Sequence, residues 1–249
     1  MVSVNPCTNV ALPAPDKKEQ DIYTVEEAQK LLFLLSQEPE NELKHVLFFS
    51  MAMFTGFRRG ELLGLEYKDF DFNNKIVTIN RTSNYYEKVG TYTDSPKTKK
   101  SQRCLRLNDD LIALILKFRD WQDKERARLG SQWVNTDRLF TQWNGLPMGH
   151  NAPQLFFKRF CKKTGMRYIN VHSWRHFFAS ALINSGLDVV SVQNCLGHVS
   201  PLVTLGTYSH AFNKANARAT EAISNTISLV GGNNQQIISK TRKIKNPPA

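Results

Sequence analysis

The segment from 172 to 210 carries histidines, an arginine and a single tyrosine at spacings suited to phosphate chemistry. His172 and Arg175 are three residues apart, His198 ends a Leu-Gly-His sequence, and Tyr208 follows ten residues later. Arginine binds two phosphate oxygens through parallel N–H groups, and histidine transfers protons near neutral pH. A phenol becomes a nucleophile once a base takes its proton. These residues therefore predict either an ordinary basic helical segment or a site that binds a phosphodiester and attacks it.

A helix is expected to present the first pair of these residues. It would begin at Ser173 or His172 and run to about Asn184, which places His172 and Arg175 on one face of its first turn. A helix N-terminus offers unpaired N–H groups and a positive dipole end, where phosphate binds. His176 is interpreted as an ordinary core histidine. The apolar residues expected to anchor this helix are Phe177, Phe178, Ala181 and Leu182.

Two short helices are expected to position the second histidine and the tyrosine. Asp188 caps the first of them, and Gly197 closes it in the left-handed conformation. His198 would then leave a helix end at a defined angle. Another short helix is expected to begin after Ser200 and to end near Tyr208.

A second arginine follows a strongly apolar helix predicted for about 42–55, which ends at Gly56. The sequence TGFRRGELLGL, residues 55–65, then turns at once into Arg58, which rigid backbone would hold at the domain surface. Glu61 lies one helical turn further on and can brace the guanidinium. An ordinary ion pair at a helix end would give the same pattern.

A lysine-rich sequence, PKTKKSQR at 96–103, is placed in a predicted β-hairpin. The flanking strands are expected at 76–81 and 103–107, with a polar, loop-like segment over 82–102. Lys97 follows a proline and could enter a DNA groove and donate a proton. A solvated hairpin tip or a general phosphate contact would account for the same residues.

Together these segments supply two arginines, one lysine, two histidines and one tyrosine, which fit one reaction. A phenol attacks a phosphodiester, and the pentavalent transition state carries additional negative charge. Arginines and histidines stabilise that charge through charge-assisted hydrogen bonds. A lysine protonates the departing oxygen as general acid. Side-chain cations take the place of a metal ion in this scheme.

The ordered set of motifs resembles that of the tyrosine recombinases, also called the phage integrase family. TGFRRGELLGL is similar to the first arginine box, HSWRHFFAS to the HxxR box, LGH to the second-histidine box and TYSH to the nucleophile box. PKTKKSQRCLRL is similar to the hairpin that carries the family's lysine. The resemblance covers about residues 20–212, the family's catalytic domain, and leans toward integrases of conjugative transposons and related mobile elements.

The resemblance implies a catalytic set of six residues and an accessory carboxylate. The two arginines hold the scissile phosphate, the lysine is the general acid, the first histidine assists proton transfer at the nucleophile, and the second binds a phosphate oxygen. The tyrosine forms a covalent 3′-phosphotyrosyl bond and frees a 5′-hydroxyl. Because bond energy is stored in that link, no ATP, metal or other cofactor is implied. The set is Arg58, Lys97, His172, Arg175, His198 and the nucleophile Tyr208, with Glu61 as the accessory carboxylate.

Charge also points to a polyanionic partner. The 249 residues include 33 Lys and Arg against 22 Asp and Glu, a net charge of +11, which favours nucleic acid ahead of an anionic membrane surface. No apolar run approaches the ~18 residues of a membrane span, so no membrane partner is expected and the chain is interpreted as cytoplasmic, bacterial and nucleoid-associated. No two of the four cysteines have zinc-binding spacing.

Further DNA contacts are expected from Lys99, Lys100, Arg103 and Arg59.

The predicted fold is mainly α with a small antiparallel β-sheet (α+β), and the resemblance implies the tyrosine recombinase catalytic-domain fold. A capping box opens a first helix at Thr24. Residues 1–20 are interpreted as a linker from a core-binding domain that this chain lacks. Residues 21–212 form the catalytic domain, and 213–249 form a C-terminal helix and a flexible basic tail. Other helices are expected at about 109–128, 151–164 (with Leu155, Phe156 and Phe160 inward) and 213–227.

The function expected from the resemblance is site-specific DNA recombination. The enzyme would cleave and rejoin double-stranded DNA at attachment or crossover sites, and so integrate or excise a mobile element. A tetramer on DNA and an accessory directionality factor are the expected partners. Two alternatives stay open, a type IB topoisomerase-like enzyme and a catalytically inactive DNA-binding regulator of the same fold. The C-terminal helix is expected either to dock on a neighbouring protomer or to fold back on its own domain.

Overall fold

The computed structural model describes residues 21–87, 90–94, 103–198 and 200–226, with the side chains of residues 210, 214 and 217–226 left aside. The described chain is mainly helical, as predicted. Its α-helices are α1 Val25–Ser36, α2 Leu43–Thr55, α3 Arg59–Gly64, α4 Asp109–Leu129, α5 Ala152–Thr164, α6 Ser173–Asn184, α7 Val189–Leu196 and α8 Pro201–Thr226. Its strands are β1 Phe70–Asp71, β2 Ile76–Thr78, β3 Thr82–Tyr86, β4 Gly90–Asp94 and β5 Cys104–Arg106.

The strands form two small antiparallel sheets. One sheet has the order β1-β2-β5, and the other is the β3-β4 hairpin. The α+β prediction is therefore confirmed in the described residues. Among these residues, no helix combines the length and the apolar character needed to cross a bilayer.

The core is built around α2, which is buried on nearly all sides, as its continuous apolar sequence predicts. Phe48 and Phe49 are fully buried within it. Trp174 of α6 packs edge-on against the Phe49 ring, with 6.2 Å between ring centroids. Each fully buried aromatic side chain contributes about 1.5–3 kcal/mol. Helix α6 is therefore anchored on α2 close to the residues that could do chemistry.

A second, smaller apolar cluster lies beyond the middle of α6. It joins the C-terminal half of α6 to α7 and α8. Its buried members are Phe178, Ala179, Ile183, Val192, Leu196 and Tyr208. Ala211, Phe212 and Ala215 of α8 pack on this cluster in the same chain.

The loop-like interpretation of 82–102 is wrong where the structure describes that segment. Residues 82–86 and 90–94 pair as a hairpin, and β2 ends at Thr78 rather than at residue 81. The hairpin sequence lacks alternating apolar residues because backbone contact with α3 holds it in place. A Cβ on Gly60 would lie 2.8 Å from the Ser83 carbonyl oxygen, and one on Gly64 2.9 Å from that of Arg81.

One other expectation is wrong, one is confirmed, and the rest fall outside the described residues. Leu155 is exposed, because the buried face of α5 runs through Phe156, Phe157 and Phe160. The helix expected to end near Tyr208 does break there: the helical run from Pro201 to Thr226 is interrupted at Tyr208, where φ is −117° and ψ is 19°, so two helical segments meet at this residue. The linker assigned to residues 1–20, the end of the tail beyond residue 226, and Lys97, Lys99 and Lys100 lie outside the described residues.

Gly56 ends α2 in the left-handed conformation, with φ of +61°. A Cβ there would lie 2.3 Å from Cδ1 of Phe178. Gly56→Ala is expected to lower the free energy of unfolding by about 2–4 kcal/mol for two reasons. The alanine would be strained in the left-handed conformation, and its Cβ would overlap the Phe178 ring. Urea unfolding of both proteins measures the difference. Gly165→Ala is the matched control, since its φ is +70° with open space around a Cβ, and its cost is expected near 1 kcal/mol. Equal losses in the two variants would contradict the contact with Phe178.

Candidate active site

Helix α6 begins where the sequence predicts and presents its first turn to the site. The Ser173 amide donates to Oδ1 of Asn170 at 3.0 Å, which satisfies one of the N–H groups left free at the helix start. His172 stands at the N-cap position and remains accessible. Partial loss of hydration lowers the pKa of His172, and the charges of Arg175 and Arg58 lower it further. The neutral imidazole is therefore favoured near pH 7, the form that can accept a proton.

Arg175 ties two helix ends together from a buried position. Its side chain donates from Nη1 to the Gly56 carbonyl oxygen at 2.9 Å and from Nη2 to that of Leu196 at 2.6 Å. The residue is 2% exposed. Burial, followed by the charge of Arg58, lowers the pKa of Arg175 to about 9, so it stays protonated at neutral pH. A guanidinium has five N–H donors, and the two carbonyls leave others for a phosphate.

Glu61 braces Arg58, as predicted from their spacing. Its Oε2 accepts from the Arg58 backbone N–H at 2.7 Å, and its Oε1 accepts from Nη1 of Arg58 at 2.8 Å. The Arg58 side chain is 44% exposed. Glu61 therefore orients the Arg58 guanidinium from the protein side, while the outer edge of the guanidinium stays accessible to a ligand.

Arg103 also binds Glu61, which sequence reasoning did not anticipate. It donates from Nη1 to Oε1 at 3.1 Å and from Nη2 to Oε2 at 2.7 Å, and its side chain is only 7% exposed. Arg103 is thus engaged inside the protein, and its expected contact with DNA stays a prediction. Its guanidinium is occupied inside the protein because Glu61 is buried and needs a second cation.

The charge on Glu61 is expected to stabilise the fold. Burial alone would raise the pKa of Glu61, but the hydrogen bonds and charge of Arg103, followed by Arg58, lower it from 4.5 to about 2. A depressed carboxylate pKa stabilises the fold above pH 4.5, and this stabilisation is lost as pH falls toward 2. Glu61→Gln is therefore expected to cost about 3 kcal/mol at pH 7. The difference from wild type should shrink steadily below pH 4.5.

Urea unfolding between pH 7 and pH 3 measures this dependence. Glu125→Gln is the control, because Glu125 pairs with Arg128 on the surface of α4, and such pairs contribute under about 1 kcal/mol. A Glu61→Gln penalty that does not change with pH would mean that the carboxylate charge is not the source of the stabilisation.

His198 leaves α7 through Gly197, whose φ is +65°. Its Nδ1 lies 2.8 Å from Oγ1 of Thr204, which is fully buried. Burial, followed by the charges of Arg175 and Arg58, lowers the pKa of His198 to about 4. A neutral ring whose Nδ1 accepts from the Thr204 hydroxyl carries its proton on Nε2. That tautomer can donate a hydrogen bond to a phosphate oxygen.

Tyr208 lies at the kink of α8, 5% exposed, with its ring in the second apolar cluster. Burial raises the pKa of Tyr208 to about 12, although the charges of Arg175 and Arg58 oppose the rise. The phenol is therefore protonated at neutral pH. It needs a proton acceptor before it can act as a nucleophile.

His176 occupies the space between two of these groups. It is buried, as expected of a core histidine, and its pKa is lowered to about 4 by burial and by His172 and Arg175. Its ring centroid is 4.9 Å from that of His172 and 5.5 Å from that of Tyr208. Its buried Nδ1 has no hydrogen-bond partner among the described residues. Sequence reasoning missed this position because a histidine on an apolar face gives no signal of its neighbours.

The contacts and electrostatics join five of the six expected catalytic residues in one site. Lys97 is the sixth and lies outside the described residues. The site contains three guanidiniums, on Arg58, Arg103 and Arg175, and one carboxylate, on Glu61, so its net charge is positive. Arg59 begins α3 and is partly buried; burial and the charge of Arg59 lower the pKa of His150 nearby. This arrangement can bind a phosphodiester and hold a phenol beside it.

Comparison with known proteins gives a family match over most of the chain. The profile of the Phage integrase family matches residues 22–215, a range that includes every site residue described above. The ICEBs1 integrase of Bacillus subtilis is 28% identical over 208 residues, covering 84% of this chain and 55% of the relative. The transposase from transposon Tn916 of Enterococcus faecalis is 25% identical and covers 79% and 49% respectively. The chain thus spans about half the length of these relatives.

Solved structures show the same fold. The Tn1549 transposon integrase in complex with circular intermediate DNA aligns with a TM-score of 0.69 at 24% identity, over 84% of this chain and 68% of that one. The catalytic domain of bacteriophage HP1 integrase aligns with a TM-score of 0.50 at 16% identity, over 82% and 95%. The described helices and sheets are therefore arranged as in the catalytic domains of tyrosine recombinases.

Proposed function

The chain belongs to the phage integrase family, and on that premise we propose that it is a site-specific DNA recombinase that integrates or excises a mobile element. It cleaves and rejoins DNA strands through a covalent 3′-phosphotyrosine intermediate. The observation that carries the proposal is the placement of Tyr208 within the electrostatic influence of Arg175 and Arg58 and with its ring 5.5 Å from that of His176, while Arg175 links the ends of α2 and α7. The similarity to integrases, Xer recombinases and transposases supports the same conclusion.

The two arginines bind the scissile phosphate in this scheme. Arg58 offers the outer edge of its guanidinium, and Arg175 offers the N–H groups not used by the two carbonyls. Both are fixed before DNA arrives, so little reorganisation is needed as negative charge grows in the transition state. His198 adds a neutral donor to a phosphate oxygen.

Proton transfers accompany the exchange of phosphodiester bonds. His172 takes the phenol proton as the Tyr208 oxygen forms its bond to phosphorus. The bond from phosphorus to the 5′-oxygen breaks, and Lys97 protonates that oxygen. Rejoining is the reverse of these steps, with a 5′-hydroxyl as the nucleophile. Every bond broken is replaced by another of similar energy, so the reaction proceeds without ATP or a metal ion.

The proposed substrate is double-stranded DNA carrying attachment or crossover sites. The Tn1549 integrase, which shares this fold, was solved in complex with circular intermediate DNA, and this supports the same substrate class, as does the net charge of +11. We assign residues 21–212 to the catalytic domain, 1–20 to a linker and 213–249 to a C-terminal helix and tail. We further propose assembly as a tetramer on DNA, with an accessory directionality factor, in the bacterial cytoplasm at the nucleoid.

Two other functions make different predictions. A type IB topoisomerase-like enzyme shares the covalent chemistry but relaxes a single duplex, whereas a recombinase exchanges strands between two duplexes. A catalytically inactive regulator binds DNA and forms no covalent link. The presence of all six catalytic residue types at the expected sequence positions favours an active enzyme.

Covalent trapping tests the proposal. The protein is incubated with a nicked duplex taken from the ends of its own mobile element, so that the cleaved strand diffuses away and rejoining is blocked. We expect an adduct that resists denaturant, in which mass spectrometry finds the nucleotide on the peptide containing Tyr208. A second, unnicked duplex then tests for strand exchange. An adduct without exchange between duplexes favours the topoisomerase-like enzyme, and DNA binding without an adduct favours the inactive regulator.

A further inference from the structure

The Arg103 side chain contacts three separate parts of the site. It binds Glu61 of α3, the carbonyl oxygen of Cys195 in α7, and the ring of Phe57 between α2 and α3. We propose that Arg103 is a positioning residue that holds Arg58 and His198 in the positions that catalysis requires. This inference rests on the proposed recombinase function and adds a residue to its machinery.

The first contact orients Arg58 through their shared carboxylate. Arg103 binds both oxygens of Glu61, at 3.1 and 2.7 Å, in the two-pronged geometry that fixes the plane of a carboxylate. The same two oxygens accept from the backbone and the guanidinium of Arg58. The plane of Glu61 therefore sets the direction of the Arg58 guanidinium, and Arg103 sets that plane.

The second contact fixes the segment that carries His198. Arg103 donates from Nε to the Cys195 carbonyl oxygen at 3.0 Å, in the last turn of α7. It also lies directly against Gly197, where a Cβ would come within 2.7 Å of Nη1 of Arg103. Gly197 immediately precedes His198 and turns the chain with a φ of +65°. The Arg103 guanidinium thus fixes both the end of α7 at Cys195 and the turn at Gly197.

The third contact keeps the guanidinium in one place. Its central carbon lies 5.0 Å from the centroid of the Phe57 ring, within the range of a cation–π interaction. The Arg103 carbonyl oxygen accepts from the Ile79 amide at 2.9 Å, which secures its backbone to the end of β2.

A lysine at this position would keep the charge and lose the geometry. An ammonium is a point charge that cannot bind two carboxylate oxygens and a carbonyl in one plane. Arg103→Lys is therefore the informative variant. Arg167→Lys is the matched control, because Arg167 also binds both oxygens of one glutamate, Glu27, and lies 5.1 Å from the centroid of an aromatic ring, Tyr23. Arg167 lies outside the site.

The test measures two quantities with a nicked duplex from the element ends. A titration gives the Kd for DNA, and the rate of covalent attachment is measured at saturating DNA. Both are measured well below the Tm of each variant. Arg103→Lys is expected to slow attachment about 100-fold and to change the Kd for DNA less than threefold. Arg167→Lys should leave both unchanged. A weakened Kd with an unchanged rate would make Arg103 a DNA contact. An attachment rate within threefold of wild type for folded Arg103→Lys would mean that Arg103 forms only a structural ion pair. Either result overturns the proposal.

Nitrogen-15 NMR of the Arg58 guanidinium and the His198 ring separates this inference from the proposed function, because it requires no activity. Arg103→Lys should shift both sets of signals, and Arg167→Lys should shift neither. If wild type forms no adduct while Arg103→Lys shifts both sets, the positioning role stands and the recombinase function fails. Unshifted signals in Arg103→Lys overturn the positioning role whatever the activity.

Discussion

Tyr208→Phe is expected to abolish covalent attachment to DNA, lowering strand cleavage by at least about 10⁴-fold. The variant lacks the only oxygen that could form the phosphotyrosyl bond in the proposed scheme. The phenylalanine ring should fill the same place in the second apolar cluster, because the Tyr208 ring is already buried there. The free energy of unfolding should stay within about 1 kcal/mol of wild type. Trapping on a nicked duplex measures covalent attachment, a titration measures the Kd for DNA, and urea unfolding measures the free energy of unfolding.

Tyr86→Phe is the matched control, since it removes a phenol from the exposed β3-β4 hairpin, where Tyr86 is 61% exposed. This variant should form the adduct at the rate of wild type. An adduct that persists in Tyr208→Phe would place the nucleophile elsewhere. A loss of DNA binding in the same variant would mean that the hydroxyl acts in recognition rather than in the bond exchange.

Arg175→Lys is expected to slow cleavage at saturating DNA by about 10³-fold, with a smaller effect on the Kd for DNA. Removal of one preorganised donor to a developing oxyanion typically costs 10²–10³-fold. Here the lysine also fails to bridge the carbonyl oxygens of Gly56 and Leu196, so the two helix ends lose their link. Each buried carbonyl left without a donor costs about 1–3 kcal/mol. Single-turnover cleavage, measured below the lowered Tm, separates the chemical effect from unfolding.

Arg159→Lys provides the comparison, because Arg159 is exposed on α5. It should leave both the rate and the stability unchanged. A cleavage rate for Arg175→Lys within tenfold of wild type would show that the guanidinium does not stabilise the transition state. Arg175 would then serve only to hold α2 and α7 together.

The helices around the site could be predicted because local signals define them. Gly56 and Gly197 end their helices in the left-handed conformation, and Asp188 caps α7 by accepting from the Val190 and Ser191 amides. Apolar residues at helical spacing predict the long elements. Once these ends are placed, the positions of Arg58, His172 and His198 follow to within a few residues.

What could not be predicted depends on contacts between distant segments. Arg103 and Glu61 are 42 residues apart, and the sequence alone does not indicate which of many cations pairs with that carboxylate. The β3-β4 hairpin lacks apolar alternation because glycines of α3 allow its backbone to approach closely. The sequence predicts the break at Tyr208, but it does not indicate that the helical segment after the break packs Phe212 back on the second cluster.

The division of the core into two clusters gives the halves of the site unequal resistance to local opening. Arg175 follows Trp174, which belongs to the large core around α2, whereas Tyr208 belongs to the smaller cluster. Cooperative units with fewer buried apolar contacts open at lower free energy than the whole domain. A subglobal opening of α7 and α8 would expose the nucleophile while α2 and the start of α6 stay folded. Such an opening would leave Arg58 and Arg175 on folded elements, while Tyr208 and His198 are released together with α7 and α8.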